Sequence, residues 1–125
     1  MLAKETPKPF DDKDWLFEIK WDGYRAIAEV NKHKIALYSR NGLNFQLTYP
    51  IIVEQLKKLK DEVVLDGEII VLNDDGQPDF QFLQHYSGNQ DRPIQYQVFD
   101  LLKLNGHDTT SLSMIERKQL LQKII

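Results

Sequence analysis

Cysteine is absent from these 125 residues, which rules out disulfides, thiolate metal sites and cysteine nucleophiles. No run approaches the roughly 18 apolar residues of a membrane span. Met1-Leu2-Ala3-Lys4 has no apolar stretch after it, so it does not read as a signal peptide. There is no excess of positive charge either. The formal net charge of -3 argues against a surface that grips nucleic acid all over, though it leaves room for a local basic groove. Internal repeats and low-complexity segments are also missing. What remains, 42% apolar and 28% charged, is the make-up of an ordinary soluble globular protein and suits a cytoplasmic one. The length allows one domain with a real core but is small for an enzyme handling a large substrate.

The most informative segment is Phe17-Glu18-Ile19-Lys20-Trp21-Asp22-Gly23-Tyr24-Arg25. Read as a strand, it puts Phe17, Ile19 and Trp21 on one face and Glu18, Lys20 and Asp22 on the other. A half-buried face carrying two acids around one amine calls for pairing or chemistry. Gly23 allows a tight turn, and Arg25 follows within reach of an anion. A lysine so placed is a candidate covalent nucleophile. A lysine amine is inert while protonated, near a reference pKa of about 10.4, and must lose that proton to attack. Flanking acids favour the protonated form, so a metal or nearby cations must offset them. The plain alternative is a surface strand with alternating solvated charges.

Along the chain, residues 1–14 carry Pro7 and Pro9 and read as an extended lead-in. Strand patterns follow at 15–21, 24–31 and 34–40, with turns at Asn31-Lys32-His33-Lys34 and Arg40-Asn41-Gly42. Thr48 is positioned to cap a helix through about residue 60, with Ile52, Leu56 and Leu59 on one face. Residues 62–72 give the strongest strand pattern, closed by a turn at Asn73-Asp74-Asp75-Gly76. Residues 80–86 read as a short helix. A strand over 94–102 ends in a turn at Leu104-Asn105-Gly106. Ser113 and Glu116 form a capping box for a last helix running to Ile125. That helix has no stop signal, so the chain is expected to be the front part of something longer. Long strands joined by short turns favour an α+β fold with an antiparallel, twisted sheet and helices packed outside it.

Three further segments carry chemistry. In Val64-Leu65-Asp66-Gly67-Glu68-Ile69-Ile70, Asp66 and Glu68 project to one face and interrupt an apolar run. Buried carboxylates need a metal, a cation or a hydrogen-bond donor. They could bind a ribose hydroxyl or a divalent metal, or be solvated acids around a bulge at Gly67. Arg40, at a strand end beside a glycine turn, could fork onto phosphate or sugar. Phe99, in Tyr96-Gln97-Val98-Phe99-Asp100-Leu101-Leu102, could be core or could stack on a base.

Taken together, the chain resembles the covalent nucleotidyltransferases: ATP-dependent DNA ligases, RNA ligases and mRNA capping enzymes. Lys20-Trp21-Asp22-Gly23-Tyr24-Arg25 looks like their first motif, and Ser39-Arg40-Asn41-Gly42 like the next. Asp66-Gly67-Glu68 looks like the third, and Phe99-Asp100-Leu101-Leu102 like the aromatic motif after it. Met1-Leu2-Ala3, Pro9-Phe10-Asp11 and the run from Asp14 to Lys20 narrow the resemblance to bacterial ligase D-type end-joining ligases. It covers essentially the whole chain.

The resemblance implies a partial nucleotidyltransferase domain with an ATP-grasp-like sheet. Residues 1–125 would form its N-terminal part, and the remaining motifs and OB domain would lie beyond Ile125. It implies ATP and Mg2+ (or Mn2+) as cofactors, and nicked or broken double-stranded DNA as partner of the full-length protein. It implies no membrane partner. Lys20 would form a covalent lysine-AMP, with Asp22 orienting it. Glu18 and the Ile19 backbone would read adenine. Arg25 and Arg40 would hold ribose and phosphates or the nick, Glu68 would bind ribose or metal, and Phe99 would stack on adenine. A chain of this extent is expected to be inactive in ligation and to form a homodimer through its uncovered face. The competing readings are a non-catalytic adenine-nucleotide-binding module and an RNA ligase or capping-type nucleotidyltransferase.

Overall fold

The computed structural model describes residues 13–14 and 18–125. Five strands, β1 (Tyr24–Val30), β2 (Ile35–Ser39), β3 (Val63–Val71), β4 (Ile94–Leu104) and β5 (His107–Asp108), form one sheet in the order β2-β1-β3-β4-β5. Every neighbouring pair is antiparallel. Helices α1 (Pro50–Leu56), α2 (Phe80–Gln84) and α3 (Met114–Ile124) complete the α+β architecture anticipated above. A single 3-10 turn at Tyr86–Gly88 follows α2.

The sheet has an apolar face and a charged one. Register pairs Tyr24 with Ile69, Ala26 with Gly67 and Ala28 with Leu65, and pairs Gly67 with Val98. These residues share the core face. Ile52 and Leu56 of α1 pack there, as does Leu83 of α2; the helix stops at Leu56 rather than near residue 60, so Leu59 reaches the core from the segment after it. Tyr24, Phe45, Tyr49, Phe80 and Tyr86 form a chain of ring contacts with centroids 5.3–6.2 Å apart. The opposite face carries Arg25, Asp66, Glu68 and Asp100.

Local rules account for most boundaries. Gly42 and Gly76 take φ of 84° and 74°, the left-handed values that their turns require. Asn105 and Gly106 are both left-handed, at 48° and 85°, the pattern of a two-residue hairpin turn between β4 and β5. The Ser113 hydroxyl accepts from Glu116 N at 3.2 Å, so Ser113 caps α3 as expected, with only this half of the capping box formed.

Two expectations are corrected. Thr48 does not cap α1. Tyr49 is the N-cap residue, with no side-chain cap bond, and Pro50 opens the helix, where its missing N–H costs nothing. The strand expected at 15–21 is not formed over 18–21, and residues 15–17, including Phe17, lie outside the described residues. β2 has ended opposite Ala26, and the ladder to β3 stops at Tyr24. Residues 18–23 therefore pair with no strand, and Ile19 is 71% exposed rather than facing a core. Among the described residues, no helix is long and apolar enough to cross a membrane.

Gly67 lies in the middle of β3 under the Tyr96 ring. A Cβ there would stand 2.5 Å from Gln97 O and 2.7 Å from Tyr96 Cε1. The space that glycine leaves lets the Tyr96 hydroxyl reach across to donate to Ala26 O at 2.8 Å. Gly67→Ala should therefore destabilise the fold by about 3 kcal/mol or more, because backbone must shift to relieve the overlap. Urea unfolding checks this, and an unchanged midpoint would sink the account of Gly67.

Candidate active site

Gly23 fixes the Glu18–Asp22 segment to the sheet. A Cβ on Gly23 would lie 1.9 Å from Ile69 O, so no other residue could sit this close to β3. The chain bends at Gly23, but its φ is not left-handed, so it is the close approach to β3 that requires glycine there. The Gly23 N–H donates to Glu68 Oε2 at 3.0 Å. This bond ties the segment bearing Lys20 to the acid two residues beyond Asp66.

Glu68 is partly buried, and the loss of hydration raises its pKa above the ordinary 4.5. The Gly23 bond pulls the other way, as do Arg25 and Lys20, while nearby Asp22 adds to the rise. Lys20 and Asp22 are thus both close enough to act on Glu68, and both are exposed. Among the described residues, no ion pair holds Lys20.

Beneath them lies a charged floor. Asp66 and Asp100 stand opposite each other on β3 and β4, each only 2% exposed. Arg25 forks onto Asp66, with Nε 3.0 Å from Oδ1 and Nη2 2.5 Å from Oδ2. That hydrogen bonding raises the Arg25 pKa further, against the opposing effect of burial. Arg117 of α3 meets Asp100, its Nε 3.2 Å from Oδ1, as an ion pair without hydrogen-bond alignment.

Phe99 reaches this face through a bulge. The register passes from Asp66–Asp100 to Gly67–Val98 and leaves Phe99 without a partner on β3. An extra residue lets Phe99 and Asp100 both turn toward the charged face, which simple alternation would forbid. The Arg25 guanidinium lies 5.6 Å from the Phe99 ring centroid. Lys118 of α3 donates to Phe99 O at 2.8 Å and pairs with Glu18.

The structure thus brings together Glu18, Lys20, Asp22, Arg25, Glu68 and Phe99. Arg40 lies apart, exposed in the turn after β2 and two strand spacings, or roughly 10 Å, from β3. Its side chain has no hydrogen bond or ion pair among the described residues. Arg117, Lys118 and the burial of Asp100 were not foreseen. A charge count held the clue: the acids on these strands outnumber Lys20 and Arg25, and α3 supplies two consecutive cations.

A family model described as "ATP dependent DNA ligase domain" matches residues 1–125. The bifunctional non-homologous end joining protein LigD of Bacillus subtilis is 35% identical over 137 residues, covering 96% of this chain and 22% of that protein. The prophage-derived DNA ligase-like protein LigB of the same organism is 31% identical over 126 residues, covering 99% of this chain and 46% of that protein. The crystal structure of the ligase domain from Mycobacterium tuberculosis LigD aligns with a TM-score of 0.77 at 34% identity, covering 85% of this chain and 35% of that one. A mycobacterial DNA ligase D complexed with ATP and MES aligns with a TM-score of 0.72. The chain spans less than half the length of each of these relatives.

Glu68 yields a pH prediction. A carboxyl raised in the folded state contributes stability while protonated, and that contribution is lost as pH rises through the folded pKa. Glu68→Gln keeps an acceptor for Gly23 N–H and never ionises. The variant should gain stability over the parent as pH rises from about 4.5 through the raised value, then keep that gain. Paired unfolding curves across this range check it, and a difference independent of pH would contradict the burial argument.

Proposed function

The chain belongs to the ATP-dependent DNA ligase family, and from that premise we propose that Lys20 is its adenylation nucleophile. The observation that carries this reading is an exposed amine with no ion pair among the described residues, although Glu68 is close enough to interact with it and Glu18 and Asp22 lie two residues to either side. Glu18 is occupied by Lys118, and Glu68 accepts from Gly23.

In the proposed step, the neutral Lys20 amine attacks the α-phosphorus of ATP. A P–N bond forms, the bond from α-phosphorus to the bridging oxygen breaks, and pyrophosphate leaves. The amine's proton passes to water. The AMP then moves to a DNA 5′-phosphate, and a 3′-hydroxyl attacks that phosphate and expels AMP. Glu18 and the Ile19 backbone read the adenine edge, Phe99 stacks on the base, and Asp22 orients Lys20. Arg25 keeps Nη1 beyond its fork onto Asp66 and offers it to ribose or phosphate. Arg40, with no partner of its own, serves phosphates or the nick.

Among the described residues, no three acidic or histidine side chains gather into a metal cage. Magnesium does not need one, since it binds through one or two carboxylates plus phosphate oxygens and water. Glu68, with Oε1 left over from its bond to Gly23, and the exposed Asp22 fit that demand for Mg2+ or Mn2+. The ion would offset phosphate charge.

Several relatives, the LigD proteins of Bacillus subtilis and Pseudomonas aeruginosa among them, are named for non-homologous end joining, and the partner proposed for the full-length protein is nicked or broken duplex DNA. These 125 residues would form the front of the adenylation domain, with the rest of the ligation machinery supplied from outside them. An apolar groove of about 500 Å3, lined by Ile51, Leu56, Leu65, Val98 and Ile125, supports self-association of the chain alone. Sedimentation should show a dimer, and a monomer at all concentrations would remove that proposal.

Incubation with ATP labelled at the α-phosphate tests the nucleophile. The chain should be tried alone and as a chimera replacing the matching part of the M. tuberculosis LigD ligase domain. Covalent label should appear in the chimera, and Lys20→Ala should cut it by a factor on the order of a thousand or more. An exposed lysine leaves no cavity, so the fold should survive. Label that persists without Lys20 refutes the assignment. Nucleotide binding without any covalent label favours the non-catalytic module.

A further inference from the structure

Lys118 links two parts of the site that the sheet leaves loose. Its Nζ pairs with the Glu18 carboxylate and donates to Phe99 O at 2.8 Å. Both charged side chains are partly shielded, at 29% and 35% exposure. Phe99 is the unpartnered residue of the bulge, so its carbonyl needs a donor from elsewhere. Glu18 pairs with no strand that would hold it in place. Next to Lys118, Arg117 meets Asp100, so two consecutive cations dock α3 on β4 at the bulge.

We propose that Lys118 is a positioning residue for nucleotide recognition: one amine fixes Glu18 and Phe99 relative to each other and to Lys20. The proposal rests on the reading of Lys20 as nucleophile and of Glu18 and Phe99 as contacts to the base. A residue that only docked α3 would act through stability. A residue that positions the base contacts acts through which nucleotide is used and how tightly.

Lys118→Met keeps the aliphatic stem and removes the charge and its donors. Lys118→Arg restores both. In whichever form of the protein takes up label, Lys118→Met should raise the KM for ATP about 10-fold or more, the worth of a lost charge-assisted bond. The turnover rate should change less than about 3-fold. The preference for ATP over GTP should fall by a similar factor to the rise in KM, while inhibition by tripolyphosphate, which has no base, stays at the parental value. Lys118→Arg should recover most of the base preference, and the melting temperature of both variants should stay near the parent's.

A second measurement needs no nucleotide and uses the 125-residue chain itself. Amide hydrogen exchange over residues 19–23 should accelerate about 10-fold in Lys118→Met, as expected for a local tether released without global unfolding. Exchange in the paired part of β1 and β3 should stay at the parental rate. Parental KM and base preference in Lys118→Met would overturn the proposal. So would activity that falls in step with melting temperature and is not recovered by arginine. A parent that never takes up label sinks the Lys20 reading instead. The exchange experiment then decides the tether by itself, and unchanged exchange overturns it.

Discussion

Two buried carboxylates facing each other across β3 and β4 constrain everything around them. Asp66 and Asp100 are register partners, each 2% exposed. Neighbouring anions with so little water would be costly without compensation. Compensation comes from two directions, Arg25 on β1 and Arg117 on α3. The β1–β3 register is thereby specified by charge as well as by apolar pairing. A one-residue slip would carry Arg25 to the core face among Leu65 and Ile69. The same logic draws α3 onto β4, where Leu121 then joins the core. Breaking one pair would leave a buried charge exposed to its like neighbour, so these contacts favour one arrangement over its alternatives.

Two glycines and one bulge turn that frame into a site. Gly67 leaves room for the Tyr96 ring, whose hydroxyl spans β3 to reach β1. Burial pushes the Tyr96 pKa up strongly, so the hydroxyl stays a proton donor. Directly opposite, the unpartnered Phe99 gives β4 its extra residue and puts an aromatic ring beside a buried acid. Gly23 lets an unpaired segment press against β3 with its N–H on Glu68. Rigid strands thus carry Asp66, Glu68 and Asp100, while Lys20 comes from an unpaired segment held at Gly23 by β3 and at Glu18 by Lys118.

Much of this was legible in the sequence because it depended on local rules. The alternation in residues 62–72 located β3 and placed Asp66 and Glu68 on one face. Glycines 42, 76 and 106 and Ser113 marked turns and a cap by chemistry that needs no tertiary partner. What failed depended on partners distant in sequence. Residues 18–21 carry a strand pattern but lie beyond the end of β2 and the β1–β3 ladder. Thr48 looked like a cap, but Pro50 set the start of α1 and Tyr49 was drawn into the aromatic cluster. The bulge at Phe99 reverses an alternation that the sequence alone would extend, and nothing near Arg117 announces Asp100 as its partner.

Commitment of charge separates the roles of the cations. Arg25 spends Nε and Nη2 on Asp66, so it cannot also present a two-pronged fork to a phosphate. Its effect on a ligand must come through the remaining Nη1 and through its place against the Phe99 ring. Lysine could not reproduce this, because a point charge lacks both the fork and the flat face. Arg117 and Lys118 are likewise engaged, with Asp100 and with Glu18 and Phe99. Lys20 beside this face and Arg40 farther off are exposed cations with no ion pair among the described residues. A triphosphate approaching a chain of net charge -3 would therefore meet framework cations already neutralised and these two still available. The acids that would repel it are mostly occupied, since Asp66, Asp100 and Glu18 have cations and Glu68 has the Gly23 N–H. The exposed Asp22 is the exception, and it stands where a divalent ion arriving with the phosphates could share it with Glu68.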